Sequence, residues 1–219
     1  MLCPLKITAA SVGAFALAST SSAQPTAPQE PATVQAATRA PSTSKPTREA
    51  AIAMLGTWKA TPKKTGMAIL EKYGPPDEMT RTRMVWINTG PWVWSILTND
   101  PTPHQFPVAH EDVLEQAISY AIPEDRVDEL AHYDGSIVAN RTQGELSARC
   151  DKEEANFLAV NLANDVAKGA KTVDASRQYY AAAIDKFMKH GQLDPYMKAL
   201  QFEPQARAEA ADPDRQAPK

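Results

Sequence analysis

TRTRMVWINTGPWVWSILTND, residues 80–100, decides how the rest of the chain has to be arranged. It holds Trp86, Trp92 and Trp94, three of the four tryptophans. Its aromatic and β-branched residues suit a pleated surface. Asn88, Thr89, Gly90 and Pro91 supply turn chemistry between two apolar runs. The stretch therefore predicts a strand, a tight loop and a returning strand. With those four residues as the loop, Ile87 faces Trp92, Trp86 faces Val93 and Val85 faces Trp94. One face then carries Val85, Ile87, Trp92, Trp94 and Ile96. The other carries Met84, Trp86, Val93, Ser95 and Leu97. Both faces are apolar, so both need cover from helices or from another chain.

Helical spacing flanks this hairpin. Upstream, Thr47 can cap a helix over residues 48–59, with Ala51, Met54, Leu55 and Trp58 on one side. Thr61 and Pro62 restart a helix whose apolar side is Met67, Ile69, Leu70 and Tyr73. Gly74 is placed to stop it, and Pro75-Pro76 forbid continuation. Downstream, DPTPHQFP (residues 100–107) reads as an irregular loop. Residues 110–121 read as a helix, with Glu111 and Asp112 in its first turn and Val113, Leu114, Ala117, Ile118 and Ala121 inward. Pro123-Glu124-Asp125 opens a short helix to about Tyr133, and Asp134-Gly135 turns the chain. Residues 136–140 and 145–150 suggest a second, more polar hairpin. Asp151 and Glu154 have capping-box spacing for a helix ending near Gly169. Another helix runs over residues 173–190, and Asp194-Pro195 starts a last short one. The expected fold is α+β: a small antiparallel sheet from two hairpins, packed by about six helices.

The ends differ in character from this body. Residues 1–23 read as a secretory signal peptide: Lys6 is their only charge, residues 7–18 are apolar, and Ser21-Ser22-Ala23 offers a cleavage site. The apolar run is too short to span a bilayer, so no transmembrane segment is expected after signal removal, and a periplasmic or secreted location is. Residues 24–46 form a Pro/Thr/Ala linker, and residues 203–219 a similar polar tail. Both compositions predict disorder around a single domain over residues 47–202. The net charge of −3 and the lack of a basic stripe argue against a nucleic-acid partner.

Four sets of residues could carry chemistry. His104, His110, Glu111 and Asp112 combine imidazole with carboxylate, as zinc or general-base chemistry requires. Their spacing is not that of a helical two-histidine zinc motif, so capping and dipole roles compete. Glu153, Glu154, Asn156, Asn161, Asn164 and Asp165 lie along one helix, as a polar network at the core edge or a hard-cation site. Cys150 is the one cysteine left after signal removal. It is a small buried residue at a strand end, or a nucleophile paired with His104, His110, His132 or His190. The tryptophans pack the core or, if exposed, make Trp86, Trp92 and Trp94 a partner-binding platform.

Residues 69–86, ILEKYGPPDEMTRTRMVW, carry Gly74, Pro75 and Asp77 and then Trp86. They resemble the helix, Gly-Pro-x-Asp turn and strand unit of the small outer-membrane-assembly lipoprotein and β-lactamase-inhibitor-like domains. The resemblance covers this unit alone, and it implies a binding or scaffold module without catalytic residues. The leading expectation is an exported, non-enzymatic envelope protein with no cofactor or metal, binding an envelope protein or a glycan through the Trp-rich hairpin. The alternative is a metal-dependent or His/Asp hydrolase with its site near residues 104–112, using His104, His110 and Asp112.

Overall fold

The structure is a computed structural model, and it describes residues 44–212 with Asp214 and Ala217. Residues 1–23, read as a signal peptide, and all but the last residues of the expected linker fall outside the described residues. Six antiparallel strands form one sheet in the order β1-β2-β3-β4-β6-β5. They are β1 (Glu78–Met79), β2 (Arg83–Thr89), β3 (Trp92–His104), β4 (His110–Ser119), β5 (Val138–Asn140) and β6 (Glu145–Cys150). The helices are α1 (Arg48–Gly56), α2 (Ala60–Tyr73), α3 (Val127–Tyr133), α4 (Glu153–Ala167), α5 (Val173–His190), α6 (Pro195–Lys198) and α7 (Arg207–Ala210). The class is α+β, and the two hairpins are parts of one sheet joined through β4. No helix among the described residues is long and apolar enough to cross a membrane.

The central hairpin forms with a shorter turn than four residues. Thr89 pairs with Trp92, Ile87 with Trp94 and Val85 with Ile96. Gly90 and Pro91 make the turn beyond the Thr89–Trp92 pair, and Asn88 and Gly90 take φ of 51° and 59°. The register thus slips by two residues from the expected one. Because side chains alternate with a period of two, the slip leaves both faces composed as read. Their cover differs. On the inner face Met84, Trp86 and Leu97 are fully buried with Leu55 and Trp58 of the α1 region and Ile69 and Leu70 of α2. On the outer face Val85, Trp94 and Ile96 are half-buried and Ile87 is 44% exposed. Within this chain, helices cover the inner face alone. Trp92, at the start of β3, leaves its outer-face neighbours and joins the core beside Phe157 and Ile118.

Residues 110–121 are corrected from helix to strand. β4 is the strand between β3 and β6, and Val113, Leu114, Ala117 and Ile118 are buried on both of its faces. A strand buried on both sides reads as a near-continuous apolar run. Over ten residues such a run mimics an amphipathic helix. DPTPHQFP is likewise no loop throughout, since Pro101 and Pro103 lie in β3. The partners recorded with β2 stop at Thr98, so the prolines sit where β3 pairs with β4 alone. A bulge between Leu97 and Thr102 separates the two halves of the β3–β4 ladder.

Several helix ends are as read: Thr47 caps α1, Gly191 closes α5 at φ of 65°, and Asp194 with Pro195 opens α6. Two are not. α2 starts at Ala60, and the Thr61 hydroxyl donates to Glu111 instead of accepting a helix N–H. The capping box at Asp151 and Glu154 does not form. Lys152 is the N-cap without a side-chain bond, while Asp151 accepts from the Cys150 thiol and from Lys152. The C-terminal segment, read as a loose tail, is docked through residue 212. Arg207 of α7 reaches Glu145, Gln205 accepts the Ala121 amide, and Ala210 is buried.

Candidate metal centre

The β3–β4 turn brings the first candidate set together. His104 pairs directly with His110, and Thr102 with Asp112, so these side chains alternate onto one face of the ladder. Leu114, two residues on, pairs with Cys150 and puts the thiol on the same face. The His104 and His110 rings stand 4.9 Å apart. One donor atom from each of His104, His110 and Asp112 lies within 4.8 Å of the others. This constellation is assembled by strand pairing, so the helical capping roles considered for His110, Glu111 and Asp112 do not apply.

Each ring has one nitrogen engaged away from the cluster centre. His110 Nδ1 lies 2.9 Å from the Val108 carbonyl, which can only accept. That contact assigns the proton to Nδ1 and leaves Nε2 facing Asp112 Oδ1 at 3.1 Å. Both of these atoms are buried and without a hydrogen-bond partner. His104 Nε2 points to Asp134 Oδ1 at 3.6 Å, and its Nδ1 lies 3.4 Å from Asp112 Oδ2. Ser136 donates its hydroxyl to Asp112 Oδ2 at 2.7 Å and stands 3.0 Å from His104 Nδ1. The Ser136 amide holds Asp134 Oδ1 at 2.8 Å.

Electrostatics concentrates here. Asp112 is 7% exposed and Asp134 2%. Burial raises the Asp134 carboxyl, opposed by the Ser136 amide and His104. The Asp112 carboxylate pushes the His110 imidazolium up to about 11, with Cys150 adding to it and burial opposing it. Two carboxylates, Asp112 and Asp134, thus face the two imidazoles, a mix of nitrogen and oxygen donors that suits one divalent cation.

Cys150 adjoins His110, but burial pushes its thiol up and its hydrogen goes to Asp151 Oδ1 at 3.5 Å. A buried thiol with a raised pKa is a poor nucleophile. Of the proposed histidine partners, only His110 is beside it; His132 and His190 are exposed.

The other candidate sets serve the fold. Trp86 and Trp92 are buried, and their indole N–H groups donate to the Gly74 carbonyl and to Glu153. Trp94, half-buried, donates to Glu145. The three indoles therefore do not make a surface platform. Glu153 sits at the foot of α4 and accepts from Trp92, Tyr73, Gln116 and Lys72. Burial, then Glu153, raise the Tyr73 phenol. Asn156 reaches the Leu114 carbonyl and Gln116. Asn161 donates to the Tyr196 and Ala199 carbonyls and accepts the Gln201 amide, which clamps α6. Asn164 accepts from Tyr120, and Asp165 binds Lys171 and Tyr196. These residues form a polar network at the core edge and converge on no common point. Asp134 and Ser136, which orient the centre, carried only a turn signal in the sequence. No protein-family description, curated protein or solved structure matches the chain.

Proposed function

We propose that the protein binds a divalent transition metal, zinc in the first instance, through His104, His110 and Asp112, and uses it in hydrolysis. The observation that carries this is the buried pair His110 Nε2 and Asp112 Oδ1, 3.1 Å apart with no hydrogen bond for either atom. In the metal-free protein a proton on His110 Nε2 offsets the Asp112 charge, and a cation shared between the two atoms would take that proton's place. The groups behind the two rings support the reading. Metal-bound histidines hand their other ring N–H to a carbonyl or a carboxylate, and here Val108 and Asp134 stand in those positions. Mixed nitrogen and oxygen donors suit zinc. Three protein ligands leave a fourth position for water, the arrangement that yields a nucleophile near neutral pH.

The test is zinc equilibrium dialysis on the folded protein, with Asp112→Asn and His110→Ala beside it. One zinc per chain, removed by chelator and lost in both variants, is expected. A protein that stays metal-free at micromolar zinc, or variants that retain the ion, would overturn the reading. A model ester whose cleavage stops with chelator tests the hydrolytic half.

A second reading keeps the chain as an exported binding module of the envelope. The apolar composition of residues 7–18 supports export, and the half-open outer face around Ile87 and Trp94 supports partner docking. Ile87→Asp leaves the core untouched, so unchanged capture of envelope proteins or glycans by that variant would remove this reading.

A further inference from the structure

A cavity of about 180 Å³ lies between the β3–β4 turn and α5, against one of the proposed ligands. Its walls include Val108, Ala109, Ile184 and Phe187, and it also touches His110 and Cys150. A burial gradient orients it. Tyr180 and Cys150 are 3% and 4% exposed, whereas Met188 is 66% exposed. The His110 and Cys150 end is therefore the inner end, and Met188 marks the mouth. Beyond the mouth, a shallower hollow shares Pro107, Val108 and Met188 and continues past Asp185 and Lys189. The cavity's acid, Asp151, is held by Lys152 and Cys150. Neither it nor Lys152 is left as an unpaired charge to select a charged ligand.

We infer that this cavity takes the short apolar chain of a carboxylic acid or its ester, with the carboxyl carbon inward beside His110. The assignment rests on the metal reading for its polar end and on the apolar walls for its chain. A 180 Å³ space holds on the order of six heavy atoms at about 30 Å³ each. The carboxyl group and about three to four carbons then fill it, and longer chains emerge into the hollow past Met188.

The experiment titrates sodium acetate, butanoate, hexanoate, octanoate and decanoate into the full protein, zinc-loaded and metal-free, while methyl NMR follows Val108 and Met188 at the cavity wall. In the zinc-loaded protein, affinity should rise roughly fourfold per methylene until the cavity is full, then level off. Ile184→Trp should abolish that dependence without changing zinc stoichiometry. Should that variant not fold, Phe187→Ala widens the cavity instead and should move the plateau to longer acids. Binding indifferent to chain length, or persisting unchanged in Ile184→Trp, overturns the inference. Zinc uptake with no carboxylate bound at any length overturns it while leaving the metal centre standing. Chain-length dependence in a protein that takes no zinc would instead sink the metal reading and keep the cavity.

Discussion

Two buried carboxylates in this protein meet opposite fates. Glu153 accepts from an indole, a phenol, an amide and an ammonium group, so its charge is matched from every side. Asp112 accepts one hydroxyl, from Ser136, and its other oxygen meets only the His110 ring nitrogen, as an ion-pair contact at 3.1 Å without a formed hydrogen bond. Both acids are 6–7% exposed. Burial alone therefore does not separate a structural acid from a functional one, whereas completeness of its partners does. Glu153 joins α2, the hairpin and α4 with nothing left over. Asp112 has capacity to spare, at a point where two imidazoles converge.

That contrast is sharpest in the metal-free protein. Glu153→Ala strands the Trp92 N–H and the Tyr73 hydroxyl in a dry interior, and should cost about 3–5 kcal/mol in urea unfolding. Asp112→Asn keeps an oxygen for Ser136 and places an amide N–H against His110 Nε2, which can accept it. The change should stay within about 1 kcal/mol of the parent. Equal losses in the two variants would erase the distinction between these acids.

Zinc should act at the Asp112 cluster and leave Glu153 alone. At roughly 100 times its Kd, zinc should raise the unfolding free energy by about 2.7 kcal/mol in the parent and not in Asp112→Asn. Without metal, His110 contributes a pH dependence of stability. Its folded value is raised from 6.5 to about 11, so its contribution to stability is complete below pH 6.5 and is lost as pH climbs through 11. Metal binding runs the other way, because the ion displaces the proton from Nε2. Zinc affinity should therefore increase with pH where metal-free stability declines. A metal-free protein with a flat profile over that window, measured by thermal melts, would mean that His110 is not held by Asp112.

The next effect is smaller and tests orientation alone. Asp134 touches no proposed donor atom of the centre except through the far nitrogen of His104. Asp134→Asn should weaken zinc 10–100-fold by dialysis, at unchanged stoichiometry. A cobalt-substituted sample should show an altered absorption spectrum, which a purely structural role would not produce.

What the sequence revealed and what it hid follow from the range of the interactions. Thr47, Gly74, Gly191 and Asp194-Pro195 act within a turn of their own helices, so those boundaries were legible. The hairpin faces were legible too, because a two-residue register slip cannot exchange them. β4 was not: its pattern is set by β3 on one side and β6 on the other, and helical spacing fits the same letters. The capping box failed because Glu153, bound by groups far away in the chain, determines where α4 begins. His104, His110 and Asp112 were visible as residue types. Their convergence was hidden, because it depends on reading 110–121 as a strand. Asp134 and Ser136 were hidden for a plainer reason: Ser136 lies 32 residues from His104 and 24 from Asp112.

A third buried acid refines the opening contrast. Glu145 is 4% exposed and accepts from the Trp94 indole at 3.0 Å and from Arg207 at 2.8 Å. It resembles Glu153 in having both oxygens engaged, but its donors stand at the rim of the sheet. Trp94 is only half-buried, and water can replace a donor lost there. Trp94→Phe keeps the ring packing and deletes the N–H, so it should cost about 1 kcal/mol in urea unfolding and leave zinc stoichiometry unchanged. A loss as large as that of Glu153→Ala would show that the outer face is as dry as the core, and that α7 and the hairpin together seal it.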